Sequence, residues 1–400
     1  MPKRQNSERE LISVLFEAAI DSLDVNQLAE TPVQQIIQSE SILSPSPYSL
    51  VSVMATAHID PSRNWDLLKG ATLTVTSKNP NIGGGQIFTT NQTIYRLENR
   101  VAHVTNSYLE QFDFLGTDVS VLFNAERRIS NYFQCQSPSQ VAAYALQCLG
   151  VTNMEIEPSG PSRDYQAANI HPFQVLAEQA DVALAGGTDP SFLHFATLEG
   201  GTSTHHFKSV RAMTKESPVW RFRTADSGGR ELLSNPGNIL HFSFPCDFDL
   251  LGDLMNGMTL NGGYSASTIA MNPFTGTASL IGGGMQECGG IGGALVNSVQ
   301  TDTGSTDTCG TTPEDYTSLR QARLSLIQPD KIALAITVPY NPLIHVGDMI
   351  ECIFVNRITL KDNYGSGEYL IVNLTHTLKA GGYGVTSLDL VSNSVGVGVV

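Results

Sequence analysis

The sequence is poor in basic residues. Its 400 residues include 23 Lys and Arg against 38 Asp and Glu, which gives a formal net charge of -15, and only 15% of the residues are charged. Binding to nucleic-acid phosphates depends on clustered Lys and Arg side chains. We therefore expect no specific nucleic-acid binding.

The chain also lacks long apolar runs. The apolar run after the polar N-terminus is broken by Glu17 and Asp21, so it is a poor secretory signal. No other uninterrupted apolar run reaches the length needed to cross a bilayer. We predict no membrane span.

Cysteine is scarce and scattered. None of the six residues forms a CxxC pair; they are Cys135, Cys148, Cys246, Cys288, Cys309 and Cys352. Disulfide frameworks and zinc sites usually show closer and more regular spacing. The sequence therefore predicts free thiols in a protein made in the cytosol.

Catalytic motifs are missing as well. None of the nine histidines lies in an HExxH motif, and there is no GxSxG nucleophile elbow. His205 and His206 are adjacent on a predicted strand, so their rings point to opposite faces and are poorly placed for one metal. Cys135 or Cys288 with a distant histidine, or a glycosidase-type acid pair, has no motif to support it. We predict no catalytic, cofactor-binding or metal-binding residues, and no enzymatic activity.

What the chain has is β-strand patterning, most clearly over residues 331–391. Residues 332–338 alternate apolar and other side chains, 349–358 form a second strand, and 383–391 return after Gly381-Gly382. Leu370, Val372, Leu374 and Leu378 share one strand face with His376. This pattern predicts a small antiparallel barrel or a strongly bent sheet.

Residues 31–124 show the same kind of pattern. Strands are predicted from β-branched content at 33–37, 49–54, 72–76, 86–97, 100–108 and 119–123. The glycine-rich stretch 79–85 lacks the Lys-Ser/Thr and the following helix of a phosphate-binding loop, so it is interpreted as a hairpin tip. The segment predicts a first barrel, matched in kind to the C-terminal one.

Helices are predicted at the N-terminus and in the middle. A capping box at 7–10 precedes an amphipathic helix up to Leu23, which either packs on its own domain or docks on a neighbouring subunit. Ser137-Pro138 starts a helix that ends at Gly150. A polar linker at 157–169 leads to a second helix after His171-Pro172.

The second half is predicted to contain further strands and a long loop. A hairpin follows the second helix, with strands at 192–195 and 204–207 around Glu199-Gly200-Gly201. A small-residue strand near 263–267 runs into a turn at 272–276. The Gly-, Ser- and Thr-rich run 282–307 reads as a long loop, and Thr312-Pro313 starts a helix with Leu319, Ala322 and Leu326 inward.

Three of these features together resemble one family. They are the C-terminal strand order with Ile344-His345-Val346-Gly347-Asp348, the helix and Glu-Gly-Gly hairpin of the middle region, and the order Phe248-Asp249, glycine, small-residue strand, Asn272-Pro273. In this order they resemble the baseplate hub proteins of contractile-tailed phages and the hub half of type VI secretion spike proteins. The resemblance covers roughly residues 31–392.

The resemblance implies a fold and a set of partners. The expected fold is α+β, mainly β, with two small tube-type antiparallel barrels, an α/β middle region and an N-terminal helix. The implied assembly is a homotrimeric ring around the DNA channel, in which six barrels face the hexameric tail-tube protein and the other face holds a spike protein supplied as a separate chain. Tape-measure protein and other baseplate proteins are further implied partners, and the implied location is the virion tail after synthesis in the host cytoplasm.

The predicted domains follow from this interpretation. They are an N-terminal helical extension (1–30), a first barrel (31–124), an α/β middle domain (125–215), a strand segment with a Gly-rich insertion (216–315) and a second barrel (316–400).

Charge is unevenly placed along the chain. From Glu231 to Leu319 there are nine acids and no Lys or Arg. In a hub, an acidic channel wall would let DNA slide without sticking, and Asp247, Asp249, Asp253 and Glu287 are the candidates for that wall. The other interpretation is an ordinary acidic surface.

The alternative function is a tail-associated hydrolase or carbohydrate-binding module, because many strands and an acidic composition suit that class too. A hub is expected to be trimeric and to bind tube and spike proteins. A deep pocket lined by converging acids and imidazoles would argue against the structural role.

Overall fold

The computed structural model describes residues 14–21, 33–56, 65–102, 109–199, 201–224, 235–244, 267–272, 277–282, 296–301, 320, 324, 327, 334–355 and 365–392. Within these ranges strands far outnumber helices, which confirms the predicted α+β, mainly β class with large sheets. None of the helices in these ranges is long and apolar enough to cross a membrane.

Six strands from the N-terminal part form the first barrel. They are β1 (Leu15–Ile20), β2 (Val33–Ser41), β3 (Tyr48–Thr56), β4 (Thr72–Lys78), β5 (Ile87–Ala102) and β6 (Leu109–Thr117), with the short helix α1 (Trp65–Leu68) before β4. They pair antiparallel in the order β1-β4-β5-β6-β3-β2. Because alternate residues of a strand face opposite sides, Ile36, Val51 and Phe114 point inward and are fully buried in one core.

The middle region combines helices with two small sheets. Its helices are α2 (Val119–Glu126), α3 (Pro138–Cys148), α4 (Pro172–Val182) and α5 (Val210–Met213). Its strands are β7 (Ile129–Gln136), β8 (Met154–Ile156), β9 (Arg163–Ile170), β10 (Phe192–Thr197) and β11 (Thr204–Ser209). β7 pairs with β9, the second sheet has the order β10-β11-β8, and the two longer helices share a buried core with both sheets.

The rest of the chain supplies further strands. They are β12 (Trp220–Thr224), β13 (Asn238–Ile239), β14 (His241–Ser243), β15 (Ser267–Asn272), β16 (Thr277–Gly282), β17 (Val296–Thr301), β18 (Leu334–Pro339), β19 (Met349–Ile353), β20 (Gly367–Lys379) and β21 (Tyr383–Val391). β15, β16 and β17 form a separate three-stranded sheet, and the others build the second barrel.

The second barrel closes on itself. Its strands follow the order β18-β21-β20-β19-β12-β13. β14 comes directly after β13 in the chain and pairs with β18, and the Leu240 N–H donates to the Thr337 oxygen at 2.8 Å. The chain thus leads from one end of the strand order back to the other, and β14 pairs only with β18 among the described residues.

The two barrels share β20. Its first residues, Gly367 to Leu370, pair with β19. Its later residues pair with β2, from Gln35↔Lys379 to Ser41↔Asn373. Because β21 pairs along the opposite edge, β19 and β2 occupy successive parts of the same edge of β20. The Val14 N–H donates to the Gly382 oxygen at 3.0 Å, so the start of β1 meets the β20–β21 turn and brings the first barrel close to closure.

Several local predictions are confirmed. α3 begins with the predicted capping box, in which Ser137 and Gln140 cap each other's backbone N–H, and Gly150 follows with a φ of +74°. Residues 79–86 join β4 and β5 as an antiparallel hairpin, β10 and β11 form the predicted middle hairpin, and the last strand has its predicted bounds.

The predicted N-terminal helix is wrong where the structure describes it. Residues Leu15–Ile20 form β1, which pairs antiparallel with β4. Ala18 and Ile20 are buried in the first-barrel core while Ala19 between them is exposed, which is the period of a strand. The apolar residues of this segment fit both the helical and the strand period. Pairing with the edge of β4 favours the strand.

Residues 119–123 were predicted as a strand and lie in α2. Asp118 caps this helix by accepting the Ser120 N–H at 2.8 Å, and an N-cap of this kind favours a helix over the weak strand preference of Val119 and Val121. The strand β6, just before the cap, was not predicted.

Two predicted loops contain strands. The polar linker 157–169 includes most of β9, which pairs with β7, and the Gly-rich run 282–307 includes β17, which pairs in parallel with β15. Polar strands of this kind are stabilised by ladder hydrogen bonds formed with distant residues. The helix predicted after Thr312 lies largely outside the described residues.

The prediction of free thiols holds for two of the three cysteines in the described ranges. Cys148 and Cys352 are free, whereas Cys135 is disulfide-bonded. Sequence spacing does not reveal a disulfide between residues that only the fold brings together.

Candidate functional site

A buried carboxylate lies where the two barrels and the middle region meet. Glu40 is on β2, in phase with the inward-facing Ile36, and is 2% exposed. Its Oε1 accepts the Leu198 N–H at 2.8 Å, just after β10, and its Oε2 accepts the Val346 N–H at 3.2 Å, in the loop between β18 and β19. One side chain thus joins the first barrel to the middle region and to the second barrel.

His345 completes this junction. Its Nδ1 lies 3.1 Å from Glu40 Oε1, and its backbone N–H donates to the Asp348 carboxylate at 2.8 Å. Burial disfavours a charged ring, but the charge and hydrogen bond of Glu40 outweigh it and raise the pKa of His345 to about 9. Burial likewise opposes a charged Glu40, yet His345 and the Leu198 N–H lower the pKa of that carboxyl below its ordinary value. The two groups form a buried ion pair at neutral pH.

Beside the pair, the interior of the first barrel opens into a cavity of about 560 Å³, which we call the barrel mouth. Polar residues from β2, β4, β5 and β20 line its floor, and the β4–β5 hairpin and the loop after β18 form its rim. The lining residues are Gln38, Glu40, Val75, Ser77, Gln86, Ile87, Phe88, Thr89, Thr90, Leu198, Glu199, Gly201, Tyr340, Pro342, Leu343, His345 and His376.

His376 presents a ring nitrogen without a partner to this cavity. The Asn341 N–H donates to Thr386 Oγ1 at 3.1 Å, and His376 Nδ1 lies 2.8 Å from the same hydroxyl oxygen. Burial lowers the pKa of His376 to about 4. The ring is therefore neutral at pH 7, and the described residues provide no hydrogen-bond partner for its Nε2.

Acids and imidazoles thus line a pocket, the arrangement that would argue against a structural role. The hydrogen-bond partners of these side chains show whether the pocket can be catalytic. Both oxygens of Glu40 are already occupied by two backbone N–H groups and His345, and a general base needs a free lone pair aimed at a substrate. The Glu40–His345 pair therefore fits a structural link between the two barrels and the middle region better than a catalytic acid and base.

A second imidazole cluster lies in the middle region and also lacks a catalytic arrangement. His205 Nε2 is 3.3 Å from Ser120 Oγ and 3.5 Å from Asp118 Oδ1, while His205 Nδ1 faces His194 at 3.1 Å. A Ser-His-Asp relay needs the hydroxyl and the acid on different ring nitrogens. Burial opposes a charged Asp118, but hydrogen bonds from His205 and Ser120 lower its pKa to about 2, so it acts as a helix cap and a partner of His205.

His205 and His206 point to opposite faces, as predicted. His206 Nε2 lies 2.8 Å from Thr197 Oγ1 and its Nδ1 lies 3.2 Å from Glu155, far from the Asp118 side of the strand. Among the described residues, no group of three His, Cys, Asp or Glu side chains has the geometry to hold a metal ion.

The predicted acidic wall remains a prediction. Asp247, Asp249, Asp253 and Glu287 all lie outside the described residues. Sequence reasoning did not select Glu40, although a signal existed: a carboxylate at an inward position of an alternating strand, two residues after Gln38, conflicts with a purely apolar barrel interior.

Comparison with known proteins supports the fold. No family model and no curated protein sequence matches the chain. A tail protein from Neisseria meningitidis MC58 matches in structure with a TM-score of 0.54 at 10% identity, over 96% of this chain and 98% of that chain. The 43 kDa tail protein of prophage MuSo2 from Shewanella oneidensis matches with a TM-score of 0.52 at 12% identity, over 95% of this chain and 98% of that chain.

A component of the type VI secretion system of E. coli, c3393, also matches, with a TM-score of 0.47 at 9% identity, over 94% of this chain and 77% of that chain. The first two likenesses span nearly the whole of both chains. At such low identities they concern the fold alone. The chain therefore has a tail-protein fold.

Proposed function

We propose that this protein is the structural hub of a contractile phage tail baseplate, a homotrimeric ring that joins the hexameric tail tube to a trimeric spike around the DNA channel. The observation that carries the proposal is the sharing of β20 by two barrels within one chain. A trimer of such chains presents six barrels, which matches a sixfold tube without six identical subunits.

The tail-protein fold supports this role, since two tail proteins share it over at least 95% of this chain. β1 offers a contact for ring formation. It pairs only with β4 among the described residues, and a strand with one unpaired edge can accept a strand from another chain. The proposed location is the phage tail, and the proposed activity is mechanical and not enzymatic.

Light scattering on the purified full chain tests the trimer. The chain mass is 43.1 kDa, so three copies would give about 129 kDa. The same measurement after mixing with the tail-tube protein and the spike protein from the same genome tests the partners, and we expect a complex with each.

A measured mass equal to that of a single chain at micromolar protein concentration, together with no complex in either mixture, would overturn the hub role. Release of reducing ends from glycans or cell wall by the protein alone would favour the hydrolase alternative. Neither result would change the fold.

A further inference from the structure

The barrel mouth has features of a docking pocket that the hub role does not explain. Its rim carries large apolar side chains in solvent: Ile87 is 60% exposed and Leu343 is 42% exposed. Both lie beside a cavity whose floor is polar. Exposed apolar residues around a concave site are typical of surfaces that bind a partner.

The charge of the cavity wall is not balanced from within. Glu40 is matched by His345 at 3.1 Å, and the described residues that line the cavity include no Lys or Arg. Glu199 remains. It receives a hydrogen bond from Thr197 Oγ1 at 3.0 Å, and its nearest imidazole is His206, at 3.9 Å.

His206 does not neutralise Glu199. Burial lowers the pKa of His206, which keeps this ring neutral at pH 7. The nearby Lys208 is already paired, since its Nζ lies 2.5 Å from Glu155 and 3.9 Å from Glu216. Glu199 is therefore a half-exposed carboxylate on the cavity wall. Its charge also acts on Lys208 and His345, but of the described basic side chains only the His206 ring comes within 4 Å of it.

The floor of the barrel mouth also carries His376, whose ring can form a hydrogen bond of defined direction. His376 is 5% exposed, its Nδ1 is bonded to the Thr386 hydroxyl, and its Nε2 has no hydrogen-bond partner among the described residues. A backbone N–H or a carbonyl oxygen entering the cavity would bond this nitrogen in one tautomer or the other. An extended backbone supplies such groups next to each side chain.

We propose that the barrel mouth receives a loop of a different protein chain, which inserts an arginine or lysine side chain toward Glu199 and rests an apolar neighbour on Ile87 and Leu343. A backbone polar group of that loop forms a hydrogen bond with His376 Nε2. The cavity wall carries Glu40 and Glu199 and, among the described residues, no Lys or Arg, which favours a loop with a basic side chain. The chain itself has only 23 Lys and Arg among 400 residues, which favours a loop of another protein.

Titration of the full-length protein with two dipeptides tests the proposal. The probes are N-acetyl-Leu-Arg-amide and N-acetyl-Leu-citrulline-amide, which have nearly the same shape and differ in charge. We expect the arginine peptide to bind about tenfold more tightly, as for a partly buried charge pair. Glu199→Gln should remove that difference, and Ile87→Ser with Leu343→Ser should weaken both peptides.

Glu351→Gln is the matched control. Glu351 is a partly exposed carboxylate of the second barrel that does not line the barrel mouth, so its replacement should leave the ratio of the two affinities unchanged. Circular dichroism of each variant confirms that the fold is retained.

Equal binding of the two peptides, or an arginine preference that survives Glu199→Gln, would overturn the proposal. So would a change in the mass of the protein alone on Ile87→Ser, because that result would place a second copy of the chain on the rim. These outcomes are separate from the binding of tube and spike proteins, which tests the hub role.

Discussion

Glu40 Oε1 and His345 Nδ1 lie 3.1 Å apart although 305 positions separate the two residues in the chain. This ion pair joins a strand of the first barrel to a loop of the second, and the Leu198 N–H adds the middle region. The contact is buried, and its geometry depends on all three modules being folded together. Its removal therefore tests how strongly they are coupled.

Glu40→Gln is expected to destabilise the protein by about 3 kcal/mol, because it leaves the His345 ring buried without its counter-charge. Glu98→Gln is the control. Glu98 pairs with Arg96 on the surface of the same barrel, so its loss should cost less than about 1 kcal/mol. Urea unfolding measures both, and equal midpoints for the two variants would contradict the coupling.

Stability should fall as the pH rises from about 6.5 to 9. The pKa of His345 is raised to about 9 in the folded state, so its stabilisation is complete below the unfolded pKa of about 6.5 and is lost through pH 9. The groups around this ring are Glu40, Glu199, Asp348 and His376. The pKa of Asp348 is raised to about 6 and that of His376 is lowered to about 4, so both titrate below this window.

Urea midpoints measured at several pH values check this prediction, and His345→Gln should flatten the curve between pH 6.5 and 9. Burial raises the pKa of Cys352 and of Tyr340 to about 12. Each therefore lowers stability only as the pH rises past its ordinary pKa, which is 9.0 for Cys352, at the upper end of the window, and 10.0 for Tyr340, above it. A slope that persists in His345→Gln would assign the pH dependence to another group.

Gly347→Ala should cost about 2 kcal/mol more than Gly381→Ala. Both glycines have a positive φ, +88° and +94°, but a Cβ at Gly347 would lie 3.0 Å from Phe195 Cζ and 3.1 Å from Met213 Sδ, while one at Gly381 meets nothing within 4 Å. The two variants share the backbone strain, so the difference measures the overpacking of the middle region against the second barrel. Thermal melting of both variants provides the comparison, and equal losses would mean that this interface yields easily.

Ser137→Ala should destabilise the protein by about 1 kcal/mol, because the α3 capping box loses its side-chain oxygen. Ser137→Asp keeps an acceptor at the N-cap and should recover most of the loss. Chemical denaturation measures both variants. An alanine variant as stable as the original protein would show that the Pro138 start alone fixes the helix.

The sequence predicts best where local chemistry and pattern agree. Ser137 and Gly150 mark both ends of α3, and alternation places β20 and β21 with one face inward. The hairpin tip at 79–86 follows from its glycines, which supply the positive φ values of the turn. These features depend on residues close together in the chain.

The errors fall where distant residues compete with local pattern. Leu15–Ile20 is compatible with a helix until β4 offers a strand edge, and β9 is polar enough to pass for a linker until β7 pairs with it. Cys135 shows the same limit, because a disulfide partner is selected by spatial approach and not by spacing.

By itself, the sequence determined the mainly β class, the capped helix α3 and the later strands of the second barrel, β18 to β21, because these follow from local pattern and composition. Only the tertiary structure decided that both barrels share β20, and that Glu40, Leu198 and His345 meet at one buried point. Those contacts join residues as far apart as Gln35 and Lys379. They are selected by the pairing of strand edges, which the local sequence does not encode.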